Sequence, residues 1–230
     1  GIVWWTKGFA VGGQRLIQQV ATEILGERPM AMISGPSFAK EVALELPTAL
    51  TVAANQAGFG QHWAGLLHGN NMRAYTSNDL VGVQVCGAVK NVLAIAAGVA
   101  DGLGFGANAR AALVTRGLVE MQRLGLSLGA ELETFSGLAG LGDLLLTCTD
   151  NQSRNRRAGL ALAKGLSREQ AQAEIGQVVE GIRSVIEVRA MAAREEVEMP
   201  ITEQVYQIVH QGAEPLAAVQ SLLARQSRAE

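Results

Sequence analysis

Lys90 is the one lysine in GAVKNVLAIAAGVADGLGFGANAR (87–110), a stretch made mainly of small and aliphatic residues. An ammonium is strongly hydrated and seldom fully buried without a partner, so an apolar helix carrying one must release it to solvent or use it. On a helix, Cys86, Gly87, Ala94 and Ala97 share the face of Lys90. That face is nearly bare, which lets a ligand or another backbone approach the charge. A snorkelling lysine at the rim of a helix bundle is the alternative.

TDNQSRNRRAGLALAKG (149–165) poses a second problem. Ser153 has the character of a helix cap, and Arg154, Arg156 and Arg157 then crowd the first turn, where cations oppose the helix dipole. A bound phosphate would resolve the conflict, because free backbone N–H groups and guanidinium forks both hold anions, with Ser153 and Asn155 as neutral donors. A solvated basic turn is the other reading. In SGLAGLGDLLLTC, Asp143 is an acid among leucines and needs a partner or a ligand hydroxyl. SGPSFAKE sets Gly35, Pro36 and Ser37 after a strand and before a helix, and WTKG sets Lys7 after the first strand. In α/β sheets such loops, beyond the carboxyl ends of strands, are where ligands bind.

The elements that position these residues follow from the hydrophobic pattern. IVWWT, MAMIS, TALTVAA and MRAYT read as strands; QRLIQQVATEIL, with apolar Leu16, Ile17, Val20, Ile24 and Leu25, and GQHWAGLLH read as helices. Strand signals vanish from about residue 79, after which helix-length segments follow one another. The expected organisation is an α/β portion over 1–78 and an all-α portion over 79–230, packed across a cleft. GLGFGA (102–107) fits the G-x-G-x-x-A fingerprint but follows a long apolar helix, so it reads as a tight interhelical connection. The chain opens at Gly1 directly on strand-like sequence, and it is expected to begin inside a domain whose earlier part is absent.

Composition narrows the classes. The 230 residues are 48% hydrophobic and 17% charged with a formal net charge of −2, which leaves no general basic field for nucleic acid. The apolar run near Lys90 is too short for a membrane span. Cys86 and Cys148, with His62, His68 and His210, show no metal-ligand spacing, so no metal is expected and the cysteines read as buried thiols of a cytoplasmic protein.

Taken together, GAVKNVLAIAAGVADGLGFGANARAALVTRGL, WTKG, SGPSFAKE, AGLGDLLLTCTDNQSRNRR and GQVVEG closely resemble the bacterial NAD(P)-dependent glycerol-3-phosphate dehydrogenase family over essentially the whole chain. The resemblance implies a fold class: the α/β remnant of a Rossmann-type NAD(P)-binding domain, then an all-α domain like the C-terminal domain of 6-phosphogluconate dehydrogenases. It implies interconversion of dihydroxyacetone phosphate and sn-glycerol 3-phosphate for phospholipid synthesis, with NAD or NADP as cofactor. Lys90 matches the catalytic lysine. Lys7, Gly35, Ser37, Lys90, Asp143, Ser153, Arg154 and Asn155 fall where the family holds substrate, and Lys7, Ala39, Arg154, Val178 and Glu180 where it holds the cofactor. A homodimer is expected, and the glycine-rich cofactor loop is expected to precede residue 1, leaving the chain inactive alone. A two-domain hydroxyacid or ketopantoate-type reductase and a non-catalytic phosphate-ester binding module are the alternatives.

Overall fold

The computed structural model describes residues 1–12 and 14–225; the end of the expected helical portion, 226–230, lies outside the described residues. The first part is a four-stranded sheet with helices between its strands: β1 (Ile2–Trp4), α1 (Ile17–Leu25), β2 (Met30–Ser34), α2 (Ala39–Ala43), β3 (Thr48–Ala54), α3 (Ala57–Leu67) and β4 (Met72–Ser77). Strand order is sequential. β1 with β2 and β3 with β4 run parallel, whereas β2 and β3 are antiparallel, so the Rossmann-type portion has a mixed sheet.

β2 is buried on both faces, and its alternation sorts the core. Met30 and Met32 pack with Leu80, Val83 and Ala139 on one side, while Ala31 and Ile33 pack with Leu50, Val52 and Ala64 on the other. Two helices differ from expectation. α1 starts at Ile17 because Gln14 has a positive φ of 46° and Leu16 is extended; of the expected apolar face only Leu16 is buried, and Ile24 is 71% exposed. α3 begins earlier than the sequence suggests, at Ala57.

The rest is helical: α4 (Leu80–Gly102), α5 (Gly106–Ser127), α6 (Leu132–Ser136), a π-helical turn (Leu138–Gly142), α7 (Asp143–Thr149), α8 (Arg154–Ala163), α9 (Arg168–Ile175), α10 (Glu180–Arg194), α11 (Pro200–Gln211) and α12 (Pro215–Leu223). α4 is the axis. It is long and apolar enough to cross a membrane, yet its apolar window is 94% buried, with α5, α7, α8 and α10 packed around it. Asp79 caps it, accepting from Gly82 N at 2.7 Å, and also accepts from Thr134 Oγ1 at 2.6 Å. Only Leu103–Phe105 separate α4 from α5, with Gly104 and Gly106 at φ of 81° and 78°; this is the tight connection expected of GLGFGA. A Cβ on Gly98 would strike the Arg156 carbonyl, and one on Gly159 the Ile95 carbonyl. Paired glycines thus let the α4 and α8 backbones touch.

Candidate functional site

Five of the expected residues form one hydrogen-bonded group. Lys90 projects from the middle of α4 and is 6% exposed. Its Nζ donates to Asp143 Oδ1 at 2.6 Å and to Thr147 Oγ1 at 3.0 Å. Lys7, just beyond β1, donates to Asp143 Oδ2 at 2.7 Å and to the Gly35 carbonyl at 3.3 Å. Ser37 Oγ donates to that same carbonyl at 3.0 Å. Asp143, 1% exposed, therefore lies between two ammonium groups, one from each part of the chain.

Local sequence explains this convergence. The wide π turn Leu138–Gly142 delivers Asp143 to the start of α7, and it closes only because Gly140 has no side chain to meet the Phe135 carbonyl. Gly35 has φ of 139° and would press a Cβ to 3.2 Å from the Ala49 carbonyl, so glycine is what lets β2 turn there. The bareness of the Lys90 face is used by Lys7: a Cβ on Gly87 would come 3.3 Å from Lys7 Cγ. Thr147 stands four residues after Asp143, one helical turn on, and its hydroxyl donates to the Asp143 carbonyl at 2.6 Å while accepting from Lys90.

The electrostatics favour a reactive lysine. Burial, aided by the neighbouring Lys7 charge and opposed by Asp143, lowers the Lys90 pKa to about 8. An ammonium has three N–H donors and only two are committed here, so one is left for a ligand oxygen. Two lysines and one aspartate also leave the group one formal positive charge.

The remaining expected residues stand around this group. Ser153 caps α8, accepting from Arg156 N at 3.2 Å. Arg154 opens α8 half-buried and makes no hydrogen bond or ion pair among the described residues. Arg156 is committed to Asp101 at 2.6 Å and so is not a free anion ligand. Asn155 donates to Asn91 Oδ1 at 2.9 Å and accepts from Gly181 N at 2.8 Å; Asn91 in turn donates to Glu180 Oε2 at 3.1 Å. This amide chain ties α8 and α10 to the residue beside Lys90. Ala39 is exposed at the start of α2, and Val178 is 72% exposed just before α10. Sequence reasoning missed Thr147 and Asn91, although a threonine one turn from Asp143 and an amide next to Lys90 were the available signals. Among the described residues no group of metal-ligating side chains occurs. Cys86 and Cys148 are buried and unpaired, and burial pushes the Cys148 thiol up to about 12.

Residues 79–220 match the family described as "NAD-dependent glycerol-3-phosphate dehydrogenase C-terminus", and residues 1–59 match its N-terminus. The chain belongs to the NAD-dependent glycerol-3-phosphate dehydrogenase family. It is 60% identical to the Glycerol-3-phosphate dehydrogenase [NAD(P)+] of Aeromonas salmonicida, covering all of this chain and 69% of that one. The enzyme of the same name from Tolumonas auensis is 58% identical at the same coverage. The crystal structure of glycerol-3-phosphate dehydrogenase from Coxiella burnetii superposes with a TM-score of 0.94 at 53% identity, over 97% of this chain and 68% of that one. Family membership through both parts of the chain sets aside the ketopantoate-type reductase and the non-catalytic module.

Proposed function

We infer that Lys90 is the proton donor and acceptor of an NAD(P)-dependent glycerol-3-phosphate dehydrogenase, acting between dihydroxyacetone phosphate and sn-glycerol 3-phosphate. The observation that carries this is the buried Lys90–Asp143–Lys7 network, which keeps one Lys90 N–H uncommitted. In reduction that N–H protonates the oxygen on the carbon being reduced; in oxidation the neutral amine takes the proton back. Asp143 and Thr147 fix the direction of Nζ. Lys7, Gly35 and Ser37 bound the same space from the sheet side.

The phosphate of the substrate falls to Arg154 and the start of α8. A half-buried guanidinium with no partner fits an anion, and the first N–H groups of a capped helix point the same way. Ser153 and Asn155 border this place. That same partnerless cation, with exposed Ala39 and Val178 and half-buried Glu180, fits a dinucleotide, whose surface is anionic at the phosphates and apolar at the rings. Lys7, Ala39, Arg154, Val178 and Glu180 would hold it, and when bound it supplies or accepts the hydride. We divide the chain into a cofactor-side domain over 1–78 and a substrate domain over 79–230. The same reading includes a homodimer and a cytoplasmic setting, the latter in keeping with two unpaired thiols.

Lys90→Met tests the central assignment. In the enzyme completed to the length of its relatives, it should lower turnover by about two to four orders of magnitude. Asp143 keeps Lys7 as its partner, so circular dichroism and thermal melting should show a folded protein. Turnover of dihydroxyacetone phosphate close to that of the parent would remove Lys90 from the chemistry.

A further inference from the structure

A cavity of about 530 Å³ opens between α5, α11 and α12, within the roughly 300–1,000 Å³ range of small-molecule sites. No residue of the Lys90 network lines it. Ala100, which does, is ten residues along α4 from Lys90, on the order of 15 Å at the helical rise. The walls are hydrocarbon, from Leu113, Ile201, Val219 and Leu222. Phe105 and Leu223, also lining residues, are 38% and 77% exposed, so the mouth leaves apolar surface in water.

The rim is cationic. Arg116 and Arg123 lie two turns apart on the same side of α5, both exposed, and neither makes a hydrogen bond or ion pair among the described residues. The carboxylates nearby are committed. Glu120, between the two arginines in sequence, is 2% exposed and accepts from Ile201 N at 2.6 Å and from Thr202 N and Oγ1 at 3.2 and 3.1 Å. It thereby caps α11, which has no side-chain cap at its own Met199. Glu198 is held by Arg225 at 3.4 Å. Two guanidinium forks that carry no hydrogen bond thus stand at the mouth of an apolar hollow, with the Arg123 charge acting on the buried Glu120 carboxylate.

We propose that this cavity binds an amphiphilic anion, a single hydrocarbon chain ending in a phosphate. The walls take the chain, and the two forks, on side chains long enough to converge, take the headgroup. A second copy of this chain is the weaker occupant, because a two-fold contact through this mouth would bring one cationic rim against its equal.

Decyl phosphate, below the concentration at which it forms micelles, is the probe, titrated into the full chain by calorimetry. One saturable site per chain is expected. Arg116→Gln and Arg123→Gln should each weaken it by roughly ten-fold or more, the loss of a charge-assisted hydrogen bond. Both side chains are exposed and unbonded, so thermal melting should show no loss of fold. Inorganic phosphate alone and decyl maltoside should bind at least ten-fold more weakly (about 1.4 kcal/mol). Equal binding of decyl maltoside, equal binding of inorganic phosphate, or unchanged affinity in both arginine variants would overturn the proposal. So would sedimentation showing that decyl phosphate only dissociates a dimer, which would make the second copy the occupant.

Discussion

Replacing Asp143 by Asn tests the network most directly, because the change keeps the shape and removes one charge. Asp143 accepts from Lys90 through Oδ1 and from Lys7 through Oδ2. An asparagine has one carbonyl oxygen to offer and presents N–H groups on its other arm, so one lysine must face a donor. Lys90 and Asp143 are 6% and 1% exposed, which places the pair among those whose disruption costs about 3–5 kcal/mol, since an uncompensated charge is left inside. The loss should appear as a lower midpoint in urea unfolding with an unchanged slope. Removing Lys7 as well should recover part of it: the double variant Lys7→Met with Asp143→Asn should be more stable than the sum of its parents by about 0.5–3 kcal/mol. A second readout is the pH profile. Asp143 is what opposes the lowering of the Lys90 pKa, so without it burial and Lys7 act together and the ammonium should be lost at lower pH. Reduction of dihydroxyacetone phosphate should then fail at a more acid pH than in the parent. A stability loss under about 1 kcal/mol, with the pH profile unmoved, would mean that the carboxylate does not bridge two charged lysines.

In the parent completed to the length of its relatives, reduction should decline as pH rises through about 8, while oxidation of glycerol 3-phosphate should rise through the same range, because the role proposed for Lys90 requires it protonated for the first and neutral for the second; initial rates in both directions, at saturating cofactor, check this. Arg154→Gln should weaken phosphate-bearing substrates by about 1.5–3 kcal/mol and leave poor, unphosphorylated carbonyl substrates such as glyceraldehyde almost unchanged; equal losses with both kinds would remove Arg154 from the phosphate site. Gly98→Ala gains about 1 kcal/mol of helix propensity, but its Cβ would run into the Arg156 carbonyl of α8. The overpacking penalty of about 1–3 kcal/mol should win, and a raised melting temperature would show that α4 and α8 can separate freely.

How much of this could be read from sequence depended on the range of the interaction. β2 has the bounds that its run MAMIS suggests, because a strand buried on both faces leaves an almost uninterrupted signal, and β3 has those of TALTVAA, although its burial is complete only from Val52 onward. Ser153 as a cap and GLGFGA as a connection were likewise local, set by one hydroxyl or by two glycines with positive φ. Helix starts were less legible: the apolar Leu16 belongs by pattern to α1 but stands in extended backbone before it. The lysine's need for a partner was readable from burial chemistry, but the partner's identity was not. Asp143 is 53 residues from Lys90 and 136 from Lys7, and nothing in periodicity joins such positions. The arginines that crowd the start of α8 part ways, with Arg156 turning to Asp101 and the Arg154 side chain making no hydrogen bond or ion pair among the described residues.

That long-range network is a poor device for stability, which bears on why it stands where it does. Burying Lys90 and Asp143 together can cost more in lost hydration than their pairing returns, and apolar residues of similar volume would hold α4 to α7 at least as well. What apolar residues could not provide is a fixed ammonium donor with residual positive charge, which the role proposed for Lys90 requires. Fixing it requires a bed that does not yield. The contact of Gly98 with the α8 backbone and the Asn91–Asn155–Gly181 chain lock α4 against α8 and α10 over the turns that follow Lys90. The other end of the network is different in kind, because Lys7 hangs from β1 and is 15% exposed at its side chain. Its bond to Asp143 is thus a tie between the sheet and the helical part, placed at the site itself. Movement of the sheet relative to α4 pulls on this bond, so the geometry around the proposed proton donor depends on the more exposed of the two lysines.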